Sequence, residues 1–449
     1  MRIGAEIGLP PSERGDLFYG LLLKDCGCSG NASKTYHAVG LDDLKAKRDV
    51  KITEWPRMNW ESIQYAIRHV APEKPFLERS GMLFRLAVNS KTHARQVTKI
   101  RCERGASLAR LMGLSVSTAG AILNLDEHWD GRGNPDGLAG TEISLLSRIA
   151  LLAQTLEIFL ASAGPQTALD IATRRLGTWF DPDLVKAVNS IARRGRIWSE
   201  VTSEDYAWTC MESEPEMRTM ESGGTTLEKI CLAFANIIDA KSPFSSNHSV
   251  GVANSAVAIA RTLGLSTDRT VFLRHAALLH DLGKLGVSNA ILEKPAALDA
   301  AEWKIMRMHP FHTWSILRSI PGFREMSEVA GSHHERLDGS GYFRGLTADQ
   351  LSLEARILAV ADVFDALSTN RPYRNSIPPE HVFEIMAKET PHALDPVCFE
   401  ALKQSGAECN QTFMDLQTLS RQLMRVETWA ADMPRSNVPA RDPSRDFRI

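Results

Sequence analysis

Asp362 lies within Arg356 to Ala366, RILAVADVFDA, a helix-like segment that surrounds the carboxylate with Val, Ala, Val and Phe. A charge taken into an apolar core is too costly to stand alone, so a fold that buries this helix must bring partners to it from elsewhere. The candidates occur in one order: His248, His280-Asp281, His309, His333-His334 and then Asp362 itself. Val250, Ala253, Val257 and Ala260 are spaced three and four apart before the stop signal Leu263-Gly264, and a second period through Phe272, Ala276 and Leu279 brings His280 onto a helix. Alternating strand patterns are scarce. Ligands on several helices meet only where the helices converge, so the expected fold is all-α, with the site in a bundle core.

Neutral imidazoles and carboxylates suit iron, manganese or zinc, and an aspartate can bridge two ions. Five His and two Asp exceed the needs of one tetrahedral ion, which favours a binuclear centre with positions left for water and substrate. His280, Asp281 and Lys284 form H-D-x-G-K, and a helical reading places His280 and Lys284 four apart on one face. Metals and an ammonium in one cavity suit a phosphate ester, whose departing oxygen the lysine can neutralise or protonate. HHERLDGSGYFRGL follows from His333, where Gly339, Gly341 and Gly345 allow a tight loop beside a pocket and Tyr342 can stack or hydrogen-bond. Beyond Asp362, STNRPYRNS offers Arg371 and Arg374 for bidentate phosphate contacts, with Arg344 a lesser candidate.

The length of 449 residues allows two or three domains. With 52 Lys+Arg against 54 Asp+Glu there is no basic field of the kind that binds nucleic acid polymers. No uninterrupted apolar run approaches the roughly 18 residues of a membrane span, and MRIGAEIGLPPSERGD lacks a signal-peptide pattern, so a cytoplasmic protein without a membrane partner is expected. Seven scattered cysteines suit reduced thiols, and the lone Cys26-x-Cys28 pair is a weak metal signal.

The two halves resemble each other. Leu125 to Leu146, LDEHWDGRGNPDGLAGTEISLL, aligns without gaps to His333 to Glu354, LLKDCGCSG from Leu22 resembles LLHDLGKLG from Leu278, and FDPDLVKAV from Phe180 matches LDPVCFEAL from Leu394. In this register Lys24 replaces His280, Arg101 replaces His309, Leu125 and Asp126 replace His333 and His334, and Gln154 replaces Asp362. His69, His93 and His128 fall outside the ligand positions. The expected organisation is a degenerate copy over 1–210, a Ser- and Gly-rich linker over 211–226 and an intact copy over 227–410. Residues 411–449 would add a helix through Leu416, Leu419, Leu423 and Val426, then a disordered tail.

Residues 227–405 resemble the HD-GYP phosphohydrolases of the HD superfamily, through H280-D281-x-G-K284, H333-H334-E-R-x-D-G-S-G-Y and ADVFDAL with RPYR. The resemblance implies hydrolysis of cyclic di-GMP or a related cyclic dinucleotide to linear pGpG or GMP, by a metal-bridging hydroxide. It implies two divalent ions, iron or manganese, bridged by Asp281. His248, His280 and Asp362 would complete one ion, His309, His333 and His334 the other, and Lys284, Arg371 and Arg374 would contact phosphates. Two positions depart from the family: Phe343 stands where the signature has Pro, and Phe244 stands where a third-metal glutamate occurs. Two other readings remain at this point. One is an HD-type di-iron oxygenase. The other is a nucleotide-sensing adaptor that binds diguanylate cyclases (GGDEF proteins) or other signalling proteins, or forms a homodimer, through its inactive first half.

Overall fold

In the computed structural model of the chain, residues 1–30, 95–195, 198, 201–202, 205–215, 224–242, 247–294, 296–369 and 377–405 are described. Among them there is no β-strand, only isolated bridges such as Asp130 with Ala139 and Asp338 with Thr347, as the all-α expectation requires. The first half contributes α1 (Pro11–Leu23), helical residues 95–111, α2 (Val116–Leu123), α3 (Leu145–Arg174) and α4 (Pro182–Arg193). The second contributes α5 (Gly224–Asp239), α6 (His248–Thr262), α7 (Thr267–Leu279), α8 (Ala300–Met306) and α9 (His309–Arg318). It continues through α10 (Arg324–Ala330), α11 (Leu353–Ser368), α12 (Pro379–Glu389) and α13 (Pro396–Gln404).

The internal alignment reappears as repeated local chemistry. Ser144 caps α3 by accepting from the Ser147 N–H, and Ser352 caps α11 by accepting from the Ala355 N–H. Asp181 and Asp395 cap α4 and α13, and each also holds an arginine of the preceding long helix, Arg148 at 2.5 Å and Arg356 at 2.9 Å. Such caps contribute about 1 kcal/mol each. The glycine-rich turns are pinned alike. Glu127 accepts from the N–H groups of Asp136, Gly137 and Leu138, and Glu335 from those of Arg344 and Leu346. Gly133 and Gly341 occupy matching positions where a Cβ would come within 2.1 Å of His128 N and 2.5 Å of Glu335 Cα, so no other residue passes.

Two apolar cores result, and their division does not follow the repeat. One is built within the first half from residues such as Leu17, Ile149, Leu152, Phe180 and Val188. The other joins Cys102, Leu108, Leu111 and Ile122 of the first half to Leu232, Ile259, Leu278, Ile357 and Leu402 of the second. Arg104 also donates to the Asn236 carbonyl at 2.7 Å across this junction. The segment read as a linker begins inside the helix Tyr206–Glu212 and ends inside α5. Helix α3 is long and apolar enough to cross a membrane by length and composition, with 56% of its apolar window buried in protein. It is broken at Gly164, whose φ is 85°. Residues 411–449 lie outside the described set.

Replacing Glu127 or Glu335 by Ala removes a buried carboxylate and leaves the partly buried backbone donors of the corresponding turn without their acceptor. Each change is expected to cost about 1–3 kcal/mol. Thermal unfolding should register both losses to a similar extent; a loss confined to one variant would refute the equivalence of the two turns.

Candidate metal centre

Helix α6 begins at His248, α9 at His309, and His333-His334 follow α10, while α11 supplies Asp362. His280 caps the end of α7, and the chain then tightens into a 3-10 turn, Leu282–Gly286. This corrects the helical reading of H-D-x-G-K. Lys284 is carried by the turn rather than by α7, and its ammonium returns to the Asp281 carboxylate. The cause is a close crossing: the His309 carbonyl presses against Gly283, where a Cβ would stand 2.0 Å from its oxygen. Thr313 fixes the crossing by donating to the His280 carbonyl at 2.8 Å and accepting from the Gly283 N–H at 2.9 Å.

All seven expected ligands converge. Asp281 Oδ2 lies 3.6 Å from His248 Nε2 and 3.3 Å from His280 Nε2, whereas its Oδ1 lies 3.4 Å from His309 Nε2 and 3.7 Å from His333 Nε2. Asp362 Oδ1 is 3.2 Å from His248 Nε2, and its Oδ2 is 3.7 Å from His334 Nδ1. His280, His309 and His333 share a device: each Nδ1–H donates at 2.7 Å to the carbonyl three residues earlier, Ala277, Met306 and Ala330. With that tautomer fixed, each Nε2 lone pair points into the site.

The donors fit metal ions. His248 Nε2, His280 Nε2 and Asp281 Oδ1 are buried without a hydrogen-bond partner. The Nε2 atoms of His309 and His333 face each other at 3.1 Å, an arrangement of two lone pairs that a cation relieves. Burial pushes His309 down to about 3 and His333 to about 4, keeping both neutral as ligation requires. Burial opposes protonation of His280 too, but Asp281 and Asp362 overcome it and raise this imidazole to about 10. Burial would likewise raise Asp281, yet His280 and Lys284 hold it well below the usual carboxylate range. The two carboxylates thus demand positive charge, either from protons or from metals.

Of the expected substrate contacts, Tyr342 lies beside His334, with centroids 4.9 Å apart and the rings tilted by 36°, and Arg371 and Arg374 lie outside the described residues, as does Phe244. Arg344 is spent on Glu328 and on Ser332 Oγ at 2.7 Å. His128 stacks on Trp179 at 4.1 Å, away from any ligand group, and His69 and His93 lie outside the described set. Two contributors escaped the sequence reading. Asp365 accepts from His248 Nδ1–H at 2.5 Å, and Thr313 pins the H-D turn. Asp365 had a signal, since it stands three residues after Asp362 on the same helix.

The counterpart in the first half is closed by its own charges. Arg101, at the position of His309, pairs with Asp126, at the position of His334, and Lys24 pairs with Asp25 at 2.5 Å. The only metal-competent groups among the described residues are combinations of His248, His280, Asp281, His309, His333, His334 and Asp362.

The HD domain family matches residues 90–184 and 233–397, one stretch in each half. The chain belongs to this family. Its HD-GYP features make it a metal-dependent phosphohydrolase, which removes the oxygenase and the purely binding alternatives. Over 405 residues it is 41% identical to 3'3'-cGAMP-specific phosphodiesterase 3 of Vibrio cholerae, covering 90% of this chain and 88% of that protein. It is 37% identical over 164 residues to the cyclic di-GMP phosphodiesterase response regulator RpfG of Xanthomonas campestris, covering 36% of this chain and 43% of that one. A crystal structure of a cyclic GMP-AMP-specific phosphodiesterase from V. cholerae aligns with a TM-score of 0.59 at 36% identity, over 91% of this chain and 90% of that one. The HD domain is therefore shared across both halves and not only at the metal centre.

Because Asp365 orients His248 without facing the other donors, Asp365→Ala should weaken metal binding about 10- to 100-fold while leaving the seven ligands in place. Metal titration followed by elemental analysis reads this directly; an unchanged affinity would remove Asp365 from the site.

Proposed function

We propose that the chain is a cyclic dinucleotide phosphodiesterase, that its reaction takes place at the His248–Asp362 centre, and that 3'3'-cyclic GMP-AMP ranks ahead of cyclic di-GMP as substrate. The observation that carries the reading is the division of the Asp281 carboxylate between two histidine sets, which suits two ions sharing one bridging ligand. The substrate ranking is supported by the V. cholerae relative whose match runs through both halves, and by Phe343, which departs from the signature of cyclic di-GMP enzymes. In this reading His248, His280 and Asp362 hold one divalent ion and His309, His333 and His334 the other, with iron or manganese the expected metals. Bound there, such ions supply Lewis acidity to phosphoryl oxygens and activate water.

The chain's own groups do the rest. Asp281 and the surrounding imidazoles are held on or at the ends of packed helices, so little rearrangement is needed as charge develops on phosphorus. Water adds to phosphorus and gives up a proton to solvent, the P–O3' bond breaks, and Lys284, a partly exposed ammonium beside Asp281, gives its proton to the departing oxygen and regains one from solvent. Opening one diester yields a linear dinucleotide. Tyr342 closes the wall beside His334, and Arg371 and Arg374 are assigned to the phosphates. The organisation we propose keeps a degenerate copy over 1–210 and a catalytic copy over 227–410, packed through a common core.

Purified protein supplied with Mn or Fe should convert cyclic GMP-AMP to a linear product more efficiently than cyclic di-GMP, and Asp281→Ala should abolish turnover together with bound metal. Chromatography of a cyclic dinucleotide panel decides the matter; a wild type that opens none of them refutes the substrate class. Chelation is expected to lower the unfolding temperature, because the emptied centre leaves its donors without cations.

A further inference from the structure

A cleft of about 520 Å³ opens beside the metal centre, between α8 and the Gly341-Tyr342-Phe343 turn. Trp303 is 44% exposed and Met308 39% exposed, and Arg307 is also exposed. Arg307 lies over the Trp303 ring at 5.6 Å and the Tyr342 ring at 5.5 Å, and no carboxylate pairs with it among the described residues. The far wall is Phe343, packed on Phe311 at 5.6 Å and Trp314 at 5.8 Å. These are the residue types that stack a nucleobase, and Trp303 is 44% exposed beside a guanidinium that has aromatic neighbours but no carboxylate partner among the described residues. The cleft is one ring away from a candidate ligand, because Tyr342 contacts both Arg307 and His334. Helix α8 is also tied to the centre through Met306, whose carbonyl accepts from His309.

We propose that this cleft is a guanine subsite, in which a base of the substrate stacks against Trp303 and Tyr342 and Arg307 reads its Hoogsteen edge. The inference rests on the cyclic dinucleotide reading above. A guanidinium donates two parallel N–H groups to guanine O6 and N7, whereas adenine offers N7 beside an amino donor that repels the fork. Stacking alone accepts either purine, so discrimination falls to Arg307 and affinity to Trp303. With a phosphate at the metal centre, the neighbouring base of a ring-shaped dinucleotide has this cleft as its adjoining aromatic wall. Phe343 broadens that wall, which gives a role to the residue that replaces Pro in the signature.

The test compares kcat and KM for cyclic GMP-AMP and cyclic di-AMP in the wild type, Arg307→Ala, Arg307→Lys and Trp303→Ala, each loaded with Mn. Arg307→Ala should lower kcat/KM for cyclic GMP-AMP about 10- to 100-fold, mainly through KM, and leave that for cyclic di-AMP within about threefold. Arg307→Lys keeps the charge without the fork, so it should stay close to Arg307→Ala on both substrates and not restore the preference. Trp303→Ala should raise KM for both about tenfold. Equal losses on the two substrates in Arg307→Ala, or full recovery of the preference by lysine, would overturn the guanine assignment. If the wild type opens no cyclic dinucleotide, the functional reading fails and takes the subsite with it. If turnover is intact and the variants match the wild type, the subsite alone is refuted.

Discussion

Asp281 is the carboxylate on which the second half is organised. To present one oxygen to His248 and His280 and the other to His309 and His333, it must leave the regular helix, and the chain does this by ending α7 and entering a 3-10 turn. That turn requires Gly283 under the His309 carbonyl and Thr313 as a clasp, so the positions of α7 and α9 follow from it. Around the carboxylate, apolar helices bury four imidazoles and a second carboxylate almost completely and leave His334 partly exposed. Such a polar interior is stable only when its charge is balanced, which makes folding energetics and metal occupancy two views of one equilibrium.

The ligand series, the helical class and the repeat were legible in the sequence because each leaves a one-dimensional trace: charge in an apolar period, or matching spacing at a fixed offset. Asp362 and the His333-His334 pair belong to that set. What escaped depends on where segments cross. Lys284 looked like a helical neighbour of His280, but a contact with residue 309 ends the helix first. Thr313 is an ordinary helix residue until it meets the His280 carbonyl. Trp303 and Arg307 belong to no motif in the sequence, and only the fold sets them across from Tyr342. The shared core is the most instructive case, since the sequence boundary near 210 implied two separate bundles while Leu108 and Ile122 pack with residues beyond it.

The first half records how a metal site can be dismantled without losing its architecture. Removing histidines while keeping acidic groups would leave buried negative charge, which costs several kcal/mol per unpaired ion. Here Asp25 keeps the carboxylate of Asp281 and Asp126 stands in place of His334, and Lys24 and Arg101 supply their counter-charge. The substitutions therefore move together as ion pairs. At these positions the copy gave up ligands by internal neutralisation, while Leu125 replaces His333 with a buried apolar side chain.

Gly27 and Gly283 sharpen the distinction between fold and activity. In both halves a Cβ at this position would stand 2.0 Å from the carbonyl of the helix that crosses it, Arg101 in one and His309 in the other. The glycine of H-D-x-G-K thus survives in a copy whose histidine has become lysine, because it serves a steric crossing and no chemistry. Searching genomes by that glycine counts bundles; searching by the imidazoles around it counts reaction centres. In tandem proteins of this kind the two tallies differ, and the difference measures how many domains have been kept as scaffolding alone.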